Sequence, residues 1–141
     1  MARLIKSLIS TGTGRGAFVD IEAPDAGIGY VTAQGAAVTQ TSTRATAVTC
    51  HGLCGVITGD ATSLAAEASA TFVVTNSFVA IGDVVVLSVR SGPTSGATDF
   101  RVSAVAAGSF SITAQNGNAS GGTADTGAPV INFAVIKTGQ A

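Results

Sequence analysis

The alternation of apolar and polar residues across residues 70–90, ATFVVTNSFVAIGDVVVLSVR, constrains the fold of this chain more than any other feature. Successive side chains of a strand point to opposite faces, so Phe72 and Val74 share one face of a first strand. Val85, Leu87 and Val89 share one face of a second strand in the same way. β-branched residues dominate both runs and favour a pleated strand over a helix. The stretch therefore predicts two strands joined by a loop in an antiparallel sheet with one buried face.

Val84 and Val86 fall on the opposite face of the second strand, which makes both of its faces apolar. A solvated strand face normally carries polar side chains, whereas a strand that is covered on both sides is apolar throughout. We therefore predict that Val84 and Val86 lie in an interface, covered either by the N-terminal segment or by a neighbouring subunit.

Further strand signals follow along the chain, and no long helical pattern accompanies them. The predicted strands are residues 17–21, 28–33, 55–59, 98–106, 109–115 and 129–137, with a hairpin turn at Ala107-Gly108. Short strands separated by turn signals predict an all-β fold, an antiparallel β-sandwich of jelly-roll type with an extended N-terminal arm. We divide the chain into an arm or attachment segment, residues 1–40, and a sandwich domain, residues 41–141.

The low charge of the chain narrows the class of partner. Charged residues make up 11% of the 141 residues, against roughly 25% in an average soluble protein, and the formal net charge is −1. No basic field is therefore present to attract nucleic acid. No apolar run reaches the roughly 18 residues that span a bilayer, so we expect no membrane segment and synthesis in a cytoplasm.

Two segments resemble cofactor or metal sites only superficially. Glycines in residues 10–16, STGTGRG, lack the Lys-Ser or Lys-Thr pair of a Walker loop and the helix that a dinucleotide fingerprint requires, so the segment is interpreted as a flexible linker. Cys50 and Cys54 are separated by three residues, which fits neither a Cys-x-x-Cys redox site nor haem attachment. The chain has a single histidine, His51, and no further cysteine to complete a zinc site. We predict free, buried thiols and no metal or cofactor.

Catalysis is not indicated by the residues that could perform it. The chain has eight carboxylates and one histidine, without a G-x-S-x-G elbow or another recognisable catalytic motif. The acidic residues fall in loops or at strand ends, where carboxylates are ordinary; among them are Asp60, Glu67, Asp83, Asp99 and Asp125. We predict that the protein is not an enzyme. A soluble carbohydrate-binding module is disfavoured because the chain has no Trp and one Tyr for an aromatic platform.

Four segments together resemble a family of small virion proteins of tailed bacteriophages. These are VTQTSTRATAVT (38–49), GVITGDATSLAAEASATFVVTNSFVAIGDVVVLSV (55–89), FRVSAVAAGSFSITAQN (100–116) and ADTGAPVINFAVIK (124–137). The resemblance covers residues 38–137 and is to head-decoration (cement) proteins and to head-fibre and tail-fibre subunits. It implies a non-enzymatic structural protein.

The resemblance implies a location on the outer capsid surface, with the major capsid protein and other copies of this chain as partners and a trimer as the favoured oligomer. The expected interface residues are Arg3, Leu4, Lys6, Leu8, Arg15, Val84 and Val86. The Gly-rich segment 116–127 is expected to face away from the shell. The alternative is a fibre or receptor-binding subunit with an adhesion function, and the resemblance does not separate the two.

Overall fold

The computed structural model describes Tyr30 and residues 32–138, and these residues form an all-β protein. Thr32–Gln34 forms a short 3-10 helix that leads into eight strands. The strands are β1 (Gly35–Thr39), β2 (Val48–Thr49), β3 (Cys54–Thr58), β4 (Ser69–Thr75), β5 (Val84–Ser91), β6 (Thr98–Ala106), β7 (Ser109–Asn116) and β8 (Val130–Ile136). The predicted strand 17–21 lies outside the described residues. The prediction of a strand over 28–33 is wrong in its described part, because the 3-10 turn begins at Thr32.

The strands form two four-stranded sheets. The first sheet has the order β1-β3-β8-β5 and the second the order β2-β4-β7-β6. The predicted all-β sandwich is confirmed, but its sheets are mixed, because β1 pairs with β3 in parallel and β2 pairs with β4 in parallel. Parallel neighbours require a crossover connection. In both cases the crossover contains a strand of the opposite sheet. β2 lies between β1 and β3 in the sequence, and β3 lies between β2 and β4.

The inner faces of the two sheets pack against each other to form one core. Phe110 of β7 and Phe133 of β8 are in contact across the sandwich, with ring centroids 5.3 Å apart. The remaining buried apolar side chains come from both sheets and from the loops that flank them. They are Val48, Cys50, Ile57, Leu64, Phe72, Val74, Val79, Val85, Phe100, Ile112, Ala114, Ile131 and Val135.

The hairpin predicted at Ala107-Gly108 is confirmed, with β6 and β7 paired antiparallel on either side of it. Gly108 has a φ of +79°, a left-handed conformation that glycine adopts without steric cost. Among the eight described strands this is the only connection that stays within one sheet.

The prediction that residues 70–90 form one antiparallel pair is wrong. β4 lies in the second sheet and pairs with β7, while β5 lies in the first sheet and pairs with β8. Phe72, Val74 and Val85 lie in the core on the faces that alternation predicts, and Leu87 packs against it. The prediction is wrong for Val89, which is 45% exposed beside the register shift between Val89 and Ser91. Alternation determines which face is buried, and a partner in either sheet satisfies it equally well.

β1 belongs to the sandwich, although the predicted division places residues 35–39 in the arm segment. It extends the first sheet beyond β3, and the Gln40 N–H donates to Thr58 O at 2.8 Å just after the strand ends. The Gln40 side chain is buried, and its amide nitrogen donates to Arg44 O and Thr46 O. The compact fold therefore includes residues before position 41.

Candidate interaction surface

Val84 and Val86 are exposed on the outer face of β5, at the edge of the first sheet. Val84 is 49% exposed and Val86 is 47% exposed, whereas Val85 between them is buried. In the pairing of β5 with β8, Val84 stands opposite Ile136 and Val86 opposite Ala134. The described chain therefore places an apolar surface where the alternation predicts one.

Three further large apolar side chains are exposed near the start of β5 and the end of β8. Ile81 is 65% exposed, Ile136 is 52% exposed and Phe78 is 46% exposed. We call these three residues, together with Val84 and Val86, the apolar strip. Residues 76–83 connect β4 to β5, so the strip occupies the end of the sandwich where β5 begins and β8 ends, which we call the strip end.

The loop that carries Phe78 and Ile81 is fastened to the end of β8. The Lys137 ammonium group donates to Phe78 O at 2.9 Å and forms an ion pair with Asp83. The Thr138 hydroxyl donates to Gly82 O at 2.7 Å, and the Ala80 N–H donates to Asp83 Oδ2 at 2.7 Å. The exposed apolar side chains therefore stand on a loop that is held at several points.

Asp83 is the charged centre of these contacts and is 5% exposed. Burial by itself raises the pKa of its carboxyl group. Hydrogen bonds from Lys137 and from the Ala80 and Thr138 N–H groups, together with the charge of Lys137, outweigh burial and lower the pKa below its ordinary value. Asp83 is therefore an ionised carboxylate at neutral pH.

Two of the first described residues, Tyr30 and Gln34, also make contacts at the strip end. The Leu53 N–H donates to Gln34 O at 3.0 Å, and the Val135 N–H donates to Leu53 O at 2.7 Å. The Tyr30 hydroxyl donates to Val135 O, beside the end of the β3–β8 ladder. The Tyr30 side chain therefore ends close to Ile136. The predicted interface residues Arg3, Leu4, Lys6, Leu8 and Arg15 lie outside the described residues.

The rest of the first sheet adds little charge to this surface. Within its four described strands Arg90 is the only charged residue, and it lies near the far end of β5. Apart from Asn132, the outer face carries mostly small or β-branched side chains, among them Ala37, Val56 and Ala134. Such a face loses little hydration energy when another protein surface covers it.

The opposite end of the sandwich, which we call the loop end, is built around a buried ion pair. The Arg44 and Asp125 side chains are 6% and 0% exposed, and Arg44 Nη2 lies 3.5 Å from Asp125 Oδ1. Arg44 also donates to Gly127 O at 2.8 Å and to Asp125 O at 3.1 Å. Asp125 Oδ1 accepts from the Thr94 N–H at 3.1 Å and from the Gly127 N–H at 3.0 Å. These contacts join three segments that are far apart in the sequence.

The Gly-rich segment 116–127 is fastened by this network. The Asn116 side-chain amide donates to Leu64 O at 3.0 Å and to Thr123 O at 2.9 Å. Backbone hydrogen bonds run both ways between Leu64 and Asp125. Residues 120–123 at its tip are exposed. Asp83 and Asp125 both lie in loops, as the sequence indicates. They are not ordinary solvated loop residues, because each is buried and forms an ion pair.

Cys50 and Cys54 are free thiols, as predicted. Cys50 is buried, and burial raises the pKa of its thiol, whereas Cys54 is half-buried on the outer face of β3. His51 Nδ1 accepts a hydrogen bond from the Ser77 N–H at 3.0 Å. Within Tyr30 and residues 32–138, no group of three or more His, Cys, Asp or Glu side chains is arranged to hold a metal ion. No helix in that part of the chain is long and apolar enough to cross a membrane.

No protein family, curated protein or solved structure matches this chain. The candidate interaction surface is therefore identified only by its structure and by the sequence pattern. The sequence pattern indicated Val84 and Val86. The same alternation in β8 could have indicated Ile136. Ile131, Phe133 and Val135 share the buried face of that strand, which assigns residue 136 to the outer face. No periodic signal indicated Phe78 or Ile81, which stand in a loop.

Proposed function

We propose that this protein is a non-enzymatic decoration (cement) protein that binds the outer surface of a tailed-bacteriophage capsid. The resemblance of residues 38–137 to virion proteins supports this proposal. The observation that carries it is the apolar strip, five exposed large side chains at one end of the sandwich, where the Tyr30 hydroxyl also binds Val135 O. The N-terminal segment precedes Tyr30 in the sequence, and in this proposal it contributes to the same attachment surface.

The strip is suited to covering a junction between capsomers. Burial of apolar area stabilises association by roughly 25 cal/mol per Å² removed from water. A shell repeats the same contact many times, and a protein that touches two capsomers at once gains avidity from the second contact. The low charge of the first sheet lets it approach another protein without a large desolvation cost. In this proposal bridging resists the outward pressure of packaged DNA.

The N-terminal segment supplies the charged part of the proposed contact. Arg3, Lys6 and Arg15 place three positive charges within the first 15 residues, while Leu4 and Leu8 supply apolar side chains. We propose that these residues meet an acidic capsid surface beside the strip. The Gly-rich tip of residues 116–127, at the loop end, then faces away from the shell.

The test compares a double variant of the strip and a single control variant with the wild type, on purified, expanded empty heads of the phage that encodes the protein. Val84→Thr/Val86→Thr retains strand-forming, β-branched side chains but adds hydroxyl groups to the strip. We expect occupancy on heads to fall at least about tenfold at limiting protein, since unpaired hydroxyls buried in an apolar interface cost about 1–3 kcal/mol each. Wild-type protein is expected to raise the melting temperature of the heads.

Val73→Thr is the matched control. Val73 is 42% exposed on the outer face of β4, in the second sheet, so the same chemical change is made away from the strip. Its occupancy on heads should equal that of the wild type. Equal occupancy of the double variant and the wild type would contradict the proposed surface. Wild-type protein that ignores heads but binds host cells and blocks infection would instead establish the fibre or receptor-binding alternative.

A further inference from the structure

β5 is an edge strand whose outer hydrogen-bonding groups point away from its own sheet. The Val135 N–H points toward β3, where it donates to Leu53 O, so the backbone groups of Ala134 and Ile136 point toward β5. Val84 and Val86 stand opposite Ile136 and Ala134 and turn their own N–H and C=O groups toward β8. The alternate residues Val85, Leu87 and Val89 therefore direct their N–H and C=O groups outward.

Within Tyr30 and residues 32–138, the edge at β5 lacks the features that normally prevent pairing with another chain. Proteins protect edge strands with charged side chains, proline or bulges. β6, one of the two edge strands of the second sheet, carries Asp99 and Arg101 and has a register shift between Val102 and Ala104. Residues 84–89 of β5 contain no charge, no proline and no register shift, and Arg90 lies beyond them at the irregularity. Of these two long edge strands, β6 is protected and β5 is open.

We propose that two copies of this chain pair through β5, antiparallel, about a two-fold axis at Leu87. This register places Leu87 opposite Leu87 of the second copy and Val85 opposite Val89, so the outward groups of all three residues meet their counterparts. Three hydrogen-bonded residue pairs contribute about six backbone hydrogen bonds. The contact is isologous, because the same strand serves on both sides and closes the assembly at two copies.

The side chains of β5 fit this register. On the outer face Val86 stands beside Ser88 of the second copy, a close non-hydrogen-bonded pair. Arg90, the one charge of the strand, stands opposite Val84 of the second copy, so the two guanidinium groups are separated by six strand positions, about 20 Å. The two first sheets join into one sheet of eight strands with both apolar strips on the same face.

The dimer contact lies on the edge of β5 and is independent of capsid binding, which uses the strip. A dimer with both strips on one face gives a bridging protein two equivalent attachment points. The trimer implied by the resemblance to decoration proteins is a different assembly, and a mass measurement separates the two.

The first experiment measures the molar mass of the purified protein by light scattering across a dilution series. We expect twice the chain mass of 13.7 kDa at high concentration and the chain mass on dilution. Val89→Pro removes an outward N–H and leaves the β8 ladder intact, and it should raise the dimer dissociation constant at least about tenfold because two symmetry-related hydrogen bonds are lost. Val89→Thr, which keeps the N–H and a β-branched side chain, should dimerise like the wild type.

The second experiment needs no variant and decides the outcome if Val89→Pro fails to fold. Amide hydrogen exchange of the wild type should slow at Val85, Leu87 and Val89 as concentration rises, while the inward amides of Val84 and Val86 stay protected throughout. A wild type that is monomeric or trimeric at every concentration overturns the proposal. Outward amides that exchange rapidly at high concentration also overturn it, even if the protein binds capsids.

Discussion

At the loop end, polar and charged groups are buried and paired, whereas at the strip end large apolar side chains are exposed. Arg44 and Asp125 are almost fully buried, yet Ile81 is 65% exposed. Gly92 and Gly127 show how tightly the loop end is packed, since a Cβ at Gly92 would lie 1.9 Å from Ala128 O and one at Gly127 would lie 1.8 Å from Gly92 O.

This difference places the buried ion pair and its hydrogen bonds at one end of the sandwich and the exposed apolar surface at the other. Buried ion pairs are expensive to desolvate and depend on further hydrogen bonds. Asp125 Oδ1 receives such bonds from the Thr94 and Gly127 N–H groups, whereas Asp125 Oδ2 has no hydrogen-bond partner among the described residues. Exposed apolar side chains are unfavourable in isolation and mark surfaces that other molecules cover. We expect substitutions at the loop end to affect folding, and substitutions at the strip to affect association.

The largest effect should come from breaking the buried ion pair. Arg44→Ala leaves the Asp125 carboxylate buried without its cation, and we expect a loss of about 3–5 kcal/mol in the free energy of unfolding. Chemical denaturation monitored by circular dichroism measures this loss. The double variant Arg44→Met/Asp125→Leu should lose less than Arg44→Ala, because it removes both charges together. A loss below about 1 kcal/mol for Arg44→Ala would refute the structural role of the pair.

Acid should weaken both ends through their buried aspartates. Burial raises the pKa of Asp125, but hydrogen bonds from Gly127 and Thr94 and the Arg44 charge lower it overall, in the same direction as for Asp83. A carboxyl group with a lowered pKa in the folded state stabilises the protein above its unfolded pKa, about 3.9, and that stabilisation is lost as the pH falls through the folded pKa. The free energy of unfolding should therefore decline below about pH 4.

Asp83→Asn isolates the contribution of the strip end. The variant loses the ion pair with Lys137, and we expect its free energy of unfolding at pH 7 to fall by about 1–3 kcal/mol. The difference from the wild type should shrink as the pH falls through the folded pKa of Asp83, because the wild-type carboxylate is then protonated too. Denaturant titrations at pH 7 and in acid provide the measurement. A difference that is constant with pH would show that the Asp83 charge does not stabilise the loop.

The smallest effect should come from the contact that joins the N-terminal segment to the strip end. Tyr30→Phe removes only the hydroxyl that donates to Val135 O, at an expected cost of about 0.5–1.5 kcal/mol. Amide exchange should accelerate near Leu53 and Val135 and remain unchanged at Arg44 and Asp125. Equal acceleration at both ends would show that the two regions do not open separately.

Much of the local structure follows from the sequence alone. The hairpin formed by β6 and β7 was predictable because its turn and both of its strands are contiguous. The apolar outer face of β5 was predictable because alternation assigns Val84 and Val86 to one face whatever the strand pairs with. The free state of Cys50 and Cys54 followed from their spacing.

Only the tertiary structure decided which strands pair with each other and which distant side chains are in contact. β4 and β5 have the pattern of a pair, yet they belong to opposite sheets, because alternation fixes the buried face of a strand and not its neighbour. The parallel pairs β1–β3 and β2–β4 arise from crossovers that carry no local signal. The ion pair between Arg44 and Asp125 joins residues 81 positions apart, and nothing near either residue indicates the other. Local sequence periodicity set the faces of the strands, while packing of the whole chain selected their neighbours, because only packing brings remote residues to the same place.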